Sequence, residues 1–502
     1  MFYDINRFHL CAFITWQLVN FAVGQYIFNI FSIHVPKWKC GDGPVTNNCT
    51  IYQNCPKNDF SFVDPVFISV AMDFDWVCGS SIYYQSFFSL IQYLGVLVGT
   101  VLFGTLSDRF GRKPIGILVI LIAIFSILGT GFARSRHVLF TARFFSGLSI
   151  AGVLVVICAW IMESILSHQR MVIRGFFNWG WTRVFITAVC FLTREWRSAS
   201  YVCAACLLPA LLMIVFIIPE SAIWLHSKGR TTEMIESEIF MARIAGVIYE
   251  PKEHKIIQSK TFMETIKTKG LFRKLSVLWI MWFFVAICGF ANDLNSNTLA
   301  GNLYLNQVLF GILLVFSKIL LLFVDSKYEN FKRRTLHQGS QAGMILCFAI
   351  LAAFLYNDYH GVGFLIVYLL GTMFIEYTWD AVYLCAIESM EIASPACRRA
   401  PLAPPTFFGP AIPTTHWERR WWTSSRASAT GSCSLMARIG SLLAPFLTYA
   451  NTWWPPAVYI TVIVLGTINL SISYFFLQET KNVNLDEVHV DDDEEKVPMM
   501  TR

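Results

Sequence analysis

The chain of 502 residues is 55% hydrophobic and only 14% charged, where a soluble domain carries about 25% charge. That balance excludes a soluble globular fold and points to a polytopic membrane protein. The formal net charge of +6 reflects membrane topology and says nothing of nucleic acid.

Apolar stretches near 20 residues cross a bilayer as helices. Twelve follow in order, at about 10–33, 82–103, 114–133, 137–161, 174–193, 198–218, 275–293, 301–324, 338–356, 361–387, 430–450 and 456–477. They are numbered spans 1 to 12. Span 1 is too long for a signal-peptide core and lacks a small-residue cleavage site, so it reads as retained. Twelve spans put both termini on one side. The loops of that side carry 28 of the 39 Lys and Arg, and the opposite loops carry 7. The positive-inside rule then makes the termini cytoplasmic. The remaining four, Arg143, Arg183, Lys318 and Arg438, fall within spans.

The first external loop, 34–81, holds Cys40, Cys49, Cys55 and Cys78. An even set in an oxidising compartment predicts two disulfides, with three pairings open. Asn48-Cys49-Thr50 in the same loop is a glycosylation sequon. After span 2 comes GTLSDRFGRK, 104–113. Its glycines permit close packing and a tight turn, Asp108 can accept from a helix N-terminus, and its basic residues anchor the interface. Glu163-Ser164 ends span 4. Arg183, in span 5, is either a cation for ligand or the partner of an acid. Residues 1–218 thus form one six-helix half. A polar linker, 219–272, separates it from a second half, 273–480, and an acidic tail, 481–502, follows.

The halves share landmarks. Asp325 with Lys332-Arg333-Arg334 repeats the Asp108 motif, Glu388-Ser389 repeats Glu163-Ser164, and Gln478-Glu479-Thr480 repeats Pro219-Glu220-Ser221. The offsets, 325 − 108 = 217, 388 − 163 = 225 and 479 − 220 = 259, jump by 34 at the last pair. An insert of about that length therefore precedes span 12. CRRAPLAPPTFFGPAIPTTHWERRWWTSS, 397–425, fits: with Pro395 it has six prolines and no helical or strand period. The anomalous stretch, about 391–425, reads as translated intron or a local frameshift, or else as an isoform-specific loop.

Charges inside the second half are the candidate functional groups, since ionisable residues at membrane depth default to function. Lys318 lies in GILLVFSKILLLFV, 311–324. It can snorkel, pair with Glu376 or Asp380 of span 10, or face a water-filled cavity and attract an anion; the last two are compatible. Arg438 in SLMARIGSLLAPF offers a guanidinium for bidentate carboxylate binding. Trp179, Trp181, Phe283, Tyr377, Trp379 and Tyr383 lie at similar depth and can stack on a flat organic body or pack in the core.

GTLSDRFGRK matches the signature between spans 2 and 3 of the major facilitator superfamily. PESAIWLHSKGR (219–230), MDFDWVC (72–78), TREWR (193–197), GNLYLN (301–306) and ARFFSGLSIAGV (142–153) resemble its organic ion transporter family, which comprises organic cation, carnitine and organic anion carriers. The resemblance covers the chain except about 391–425. It implies an all-α membrane protein of twelve transmembrane helices in two six-helix halves, the major facilitator fold, working by alternating access. It also implies a cytoplasmic gating network of Asp108, Arg109, Gly111, Arg112, Arg143 and Glu163 that locks the outward-facing state. The lysine of span 8 resembles the anion carriers and the arginine of span 11 the anion and carnitine carriers, although Glu376 and Asp380 are additional acids and Asp380 can instead take a cation or proton. The expected protein is a plasma-membrane secondary transporter, anion-leaning, with cation or carnitine-type zwitterion carriage as the alternative. The alternative of another class is a non-transporting sensor or defective gene product. Substrate contacts are expected from Lys318, Arg438, Arg183, Asp380, Glu376, Trp179, Tyr377 and Tyr383. The partners are a small organic ion, the bilayer, and a counter-ion or exchanged dicarboxylate. No HExxH, GxSxG, P-loop or metal-spaced Cys/His cluster appears, so neither enzyme chemistry, a metal nor a cofactor is expected, and no ring of repeated polar residues marks a channel.

Overall fold

The computed structural model describes residues 6–56, 58–165, 175–249, 269–299, 301–328, 332–359, 361–389 and 423–477. Eleven helices among them are long and apolar enough to cross a membrane: Arg7–Ser32, Gly79–Phe110, Arg112–Phe132, Arg136–Ser164, Trp196–Phe216, Phe272–Thr298, Leu303–Asp325, Arg333–Tyr356, Val362–Ala386, Gly431–Ala450 and Ala457–Phe476. Span 5 is the twelfth, with a shorter described helix, Trp179–Thr193. The fold is therefore all-α, twelve helices in two groups of six. Residues 391–422 of the anomalous stretch, the acidic tail and Gln478-Glu479-Thr480 lie outside the described residues.

The apolar run underestimates several helices. Span 2 continues to Phe110, through the polar SDRF, because backbone hydrogen bonding along a helix does not require apolar side chains. It stops at Gly111, whose φ is +112°. Capping fixes other starts. The Asn178 side chain accepts from Gly180 N at 2.9 Å, and Asn302 accepts from Tyr304 N at 2.9 Å.

The two halves meet most closely along spans 5 and 8. A methyl group on Gly180 would lie 2.5 Å from the Gly311 carbonyl oxygen, and one on Gly311 would lie 2.6 Å from Val184 Cγ2. Small residues let helix backbones approach in this way.

The long loop after span 1 folds on its own staples. Cys40 pairs with Cys55 and Cys49 with Cys78. Trp38–Cys40 and Phe60–Phe62 form an antiparallel hairpin. Tyr52 stacks edge-on against Trp38 and Phe60 and donates its hydroxyl to Asp75. Burial, with the Asp75 carboxylate, raises the Tyr52 phenol above its ordinary value, so it stays a donor. Mass mapping without reductant should recover these two cross-linked peptide pairs. Free thiols at the four positions would contradict the loop structure.

At this end of the bundle the halves touch. The Tyr304 hydroxyl donates to Val66 O at 2.9 Å and to Cys190 O at 3.2 Å, and the His34 ring meets Asn297 O at 3.3 Å.

Candidate functional site

Three charged assemblies lie at membrane depth. Lys318 of span 8 binds Asp380 at 2.7 Å and Glu376 at 3.1 Å, both from span 10. Four residues separate the two acids, so one helix face presents both. Lys318 is thus neither snorkelling nor a bare cationic wall; it is held in an ion cluster. Its side chain is 13% exposed, that of Asp380 10% and that of Glu376 20%, so the cluster borders a cavity without filling it. Tyr377 sits half-buried beside Lys318 and Asp380. Tyr383 lies farther along span 10 against Trp282, with ring centroids 6.1 Å apart.

Arg183 of span 5 reaches across the halves. It binds Asp293 of span 7 at 2.5 Å and Gln307 of span 8 at 2.8 Å, with its guanidinium over the Phe310 ring at 5.3 Å. Arg183 is 1% exposed and Asp293 27%, so the acid is the member that meets the cavity. Of the two readings of Arg183, pairing with an acid holds.

Arg438 of span 11 differs. Among the described residues it makes no ion pair; its buried Nε, like that of Arg183, has no hydrogen-bond partner. Its charge lies within reach of the Tyr26 hydroxyl. Tyr26 belongs to an aromatic cluster drawn from both halves: Tyr93 at 5.4 Å, Phe290 at 5.2 Å and Trp179 at 6.3 Å between ring centroids. Such a cluster can hold a flat or apolar organic body beside a guanidinium. Trp181, by contrast, is 48% exposed and faces outward.

At the end opposite the disulfide loop, Arg112 binds Asp108 at 2.7 Å and Glu163 at 3.4 Å. Ser221 donates to Glu163 at 2.5 Å. The Glu220 carboxylate accepts from the backbone N–H groups of Arg112 at 2.9 Å and Lys113 at 3.1 Å. It thereby neutralises the N-terminus of span 3. Trp224 Nε1 donates to Asp108 O at 3.1 Å. Glu220, Ser221 and Trp224 are members of this network that sequence reasoning treated only as landmarks or as part of a motif; their distance of over 100 residues from Arg112 gave no local signal. Arg109 stays exposed over the Phe110 ring.

Arg143 does not join this network. It is fully buried, hydrogen-bonded to Gln25, Asn29 and Gln92 and set over the Phe88 ring at 4.6 Å. Twenty residues of one helix separate it from Glu163, roughly 30 Å at 1.5 Å per residue. In the second half, Arg333 binds Asp325 at 2.5 Å.

Gly111 is the network's steric keystone. A Cβ there would lie 2.5 Å from Glu220 Oε2, on a backbone with positive φ. Gly111→Ala should therefore cost about 1–3 kcal/mol and lower the yield of folded protein, read as a fall in detergent-solubilised melting temperature. An unchanged melting temperature would show that the turn relaxes freely.

The profile of the family described as Sugar (and other) transporter matches residues 47–406. An uncharacterized protein of Caenorhabditis elegans is 34% identical over 96% of this chain and 94% of its own length. The Organic cation transporter protein of Drosophila melanogaster is 25% identical over 83% of this chain and 72% of its own. Solute carrier family 22 member 7 of Mus musculus is 25% identical over 88% and 76%. Among solved structures, a partially occluded inward-open form of the xylose transporter XylE from E. coli superposes with a TM-score of 0.61, at 14% identity, over 95% of this chain and 99% of that one. That last likeness concerns the fold.

Proposed function

Because this chain belongs to the sugar (and other) transporter family, and within it to the organic ion transporters of the major facilitator superfamily, we propose that it carries small organic anions across the plasma membrane by alternating access. The observation that carries this reading is Arg438. Lys318 and Arg183 are neutralised by acids at 2.5–3.1 Å, while Arg438, among the described residues, makes no ion pair and has its charge beside the Tyr26 hydroxyl. A carboxylate on Arg438 with an organic body on Tyr26, Phe290 and Trp179 completes the site. The contact of the halves at Tyr304 fits a state closed at that end, and in our reading the Asp108 end is cytoplasmic.

A second reading, zwitterion carriage, is favoured by one observation: two carboxylates, Glu376 and Asp380, stand with the Lys318 ammonium at membrane depth. Uptake by cells expressing the protein, measured against labelled organic anions, cations and zwitterions, separates the readings. Anion uptake that organic cations do not inhibit supports the first. Surface protein with no uptake of any class would sink both and leave a sensor.

The orientation also places Asn48 outside. Its side chain is exposed, with Oδ1 accepting from Thr50 N at 2.9 Å and from the Thr50 hydroxyl at 2.7 Å. Treatment with a glycosidase should raise the gel mobility of the cell-surface protein, and an Asn48→Gln variant should already run at that position. Identical mobility in all lanes would count against both the glycan and the topology.

A further inference from the structure

Arg143 is 0% exposed, and a guanidinium keeps its proton however deeply it is buried. Among the described residues it makes no ion pair. Its partners are neutral oxygens: Gln25 Oε1 at 2.8 Å, Gln25 O at 3.2 Å, Gln92 Oε1 at 2.7 Å and Asn29 Oδ1. Asn29 also donates to Gln92 Oε1 at 2.6 Å, so spans 1, 2 and 4 close a cradle of amides around one cation. The Phe88 ring covers the guanidinium at 4.6 Å. The polar atoms left over do not cancel the charge. Arg143 Nε and the Nε2 groups of Gln25 and Gln92 are buried donors without an acceptor.

The cradle lies behind the aromatic cluster beside Arg438. Gln25 and Gln92 hold the guanidinium, and their chain neighbours Tyr26 and Tyr93 belong to the cluster, with ring centroids 5.4 Å apart. Tyr93 lies beside Asn29 and within reach of the Arg143 charge. The charge of Asp293 also reaches Tyr93, but that acid is bound by Arg183 at 2.5 Å. A layer of rings thus stands between Arg143 and the space that Arg438 offers to a carboxylate. A charge held behind a wall that excludes water is weakly screened, and its field passes into the cleft.

We propose that Arg143 is a specificity-determining residue of the central site: it does not touch substrate, and its uncompensated charge favours organic anions over organic cations across the wall formed by Tyr26 and Tyr93. Asn29 and Gln25 belong to the same device, because an acid at either position would pair with Arg143 and cancel its field. This rests on the anion reading, and the two fail in different ways.

The test replaces Asn29 by Asp, which nearly keeps the shape of the cradle and sets one negative charge against the guanidinium. The probes are benzoate, benzamidinium and benzamide, three flat ligands of one shape with charges of opposite sign and none. Their Kd values are measured on the purified full-length protein. The wild type should prefer benzoate to benzamidinium. In Asn29→Asp the Kd for benzoate should rise about tenfold and that for benzamidinium fall by a like factor, with benzamide unchanged. Gln25→Glu should give the same split from another position of the cradle, and decides if Asn29→Asp does not fold. Asn29→Ala removes an acceptor but leaves the charge, and should not sort the probes by sign. A merely structural role would weaken all three probes together in Asn29→Asp, and that result overturns the proposal. So does an unchanged ratio of the benzoate and benzamidinium constants. Either leaves the anion reading standing, whereas a wild type that prefers benzamidinium overturns both.

Discussion

Arg438→Asp should abolish uptake of organic anions while the protein still reaches the cell surface. The substitution removes the guanidinium beside Tyr26 and puts a carboxylate in its place. A hydrogen bond to a charged group is worth about 1.5–3 kcal/mol, so loss of the attraction alone weakens anion binding by roughly 10- to 100-fold. The new like charge adds repulsion. Folding is spared because Arg438 makes no ion pair among the described residues, so no partner is left stranded. Surface biotinylation beside labelled uptake is the measurement. Arg438→Lys should keep part of the activity, since a point charge remains but the planar fork is lost. A surface-expressed Arg438→Asp protein with normal anion uptake would remove Arg438 from the site.

Lys318→Ala has the opposite signature: the damage falls on the folded protein first. Deleting the ammonium removes the ion-pair partner that Glu376 and Asp380, 20% and 10% exposed, share. Breaking a buried pair from one side costs about 3–5 kcal/mol, a large part of the 5–15 kcal/mol that holds a typical domain together. Surface expression should fall several-fold. Adding Asp380→Asn and Glu376→Gln to Lys318→Ala removes the stranded charge and should restore much of the expression. Full surface expression of the single variant, with nothing changed but the KM for anions, would mean that the lysine is a free cavity group.

Much of this architecture was legible in the sequence. Spans show as apolar runs because a helix in lipid must satisfy its own backbone and present apolar side chains. The two halves show through repeated landmarks, and the loop cysteines announce cross-links without announcing partners. Partners were the illegible part. Whether Lys318 meets Glu376, Asp380 or a cavity depends on the rotation of two helices about their axes, which a sequence of apolar residues does not fix. Asp293 escaped notice because the apolar run of span 7 ends on it, whereas the helix continues to Asn295 and brings it against Arg183. Arg143 and Glu163 were joined by resemblance, although their spacing along one helix already kept them a membrane's width apart. The aromatic cluster of Tyr26, Tyr93 and Phe290 went unread because three rings from three spans look, singly, like ordinary packing.

The contact of spans 5 and 8 has a mechanical consequence. Where Gly180 faces Gly311 the two backbones approach closely, with Val184 and Val315 set against the opposite glycines, and a single methyl group would strike the opposite chain. Side chains that interdigitate act as teeth and resist relative rotation; two smooth backbones in contact act as a bearing. Arg183 and Gln307, one turn away on either helix, tie the bearing together without gearing it. A rocking of one half against the other about this line would keep their separation there fixed, as a door turns on its pin.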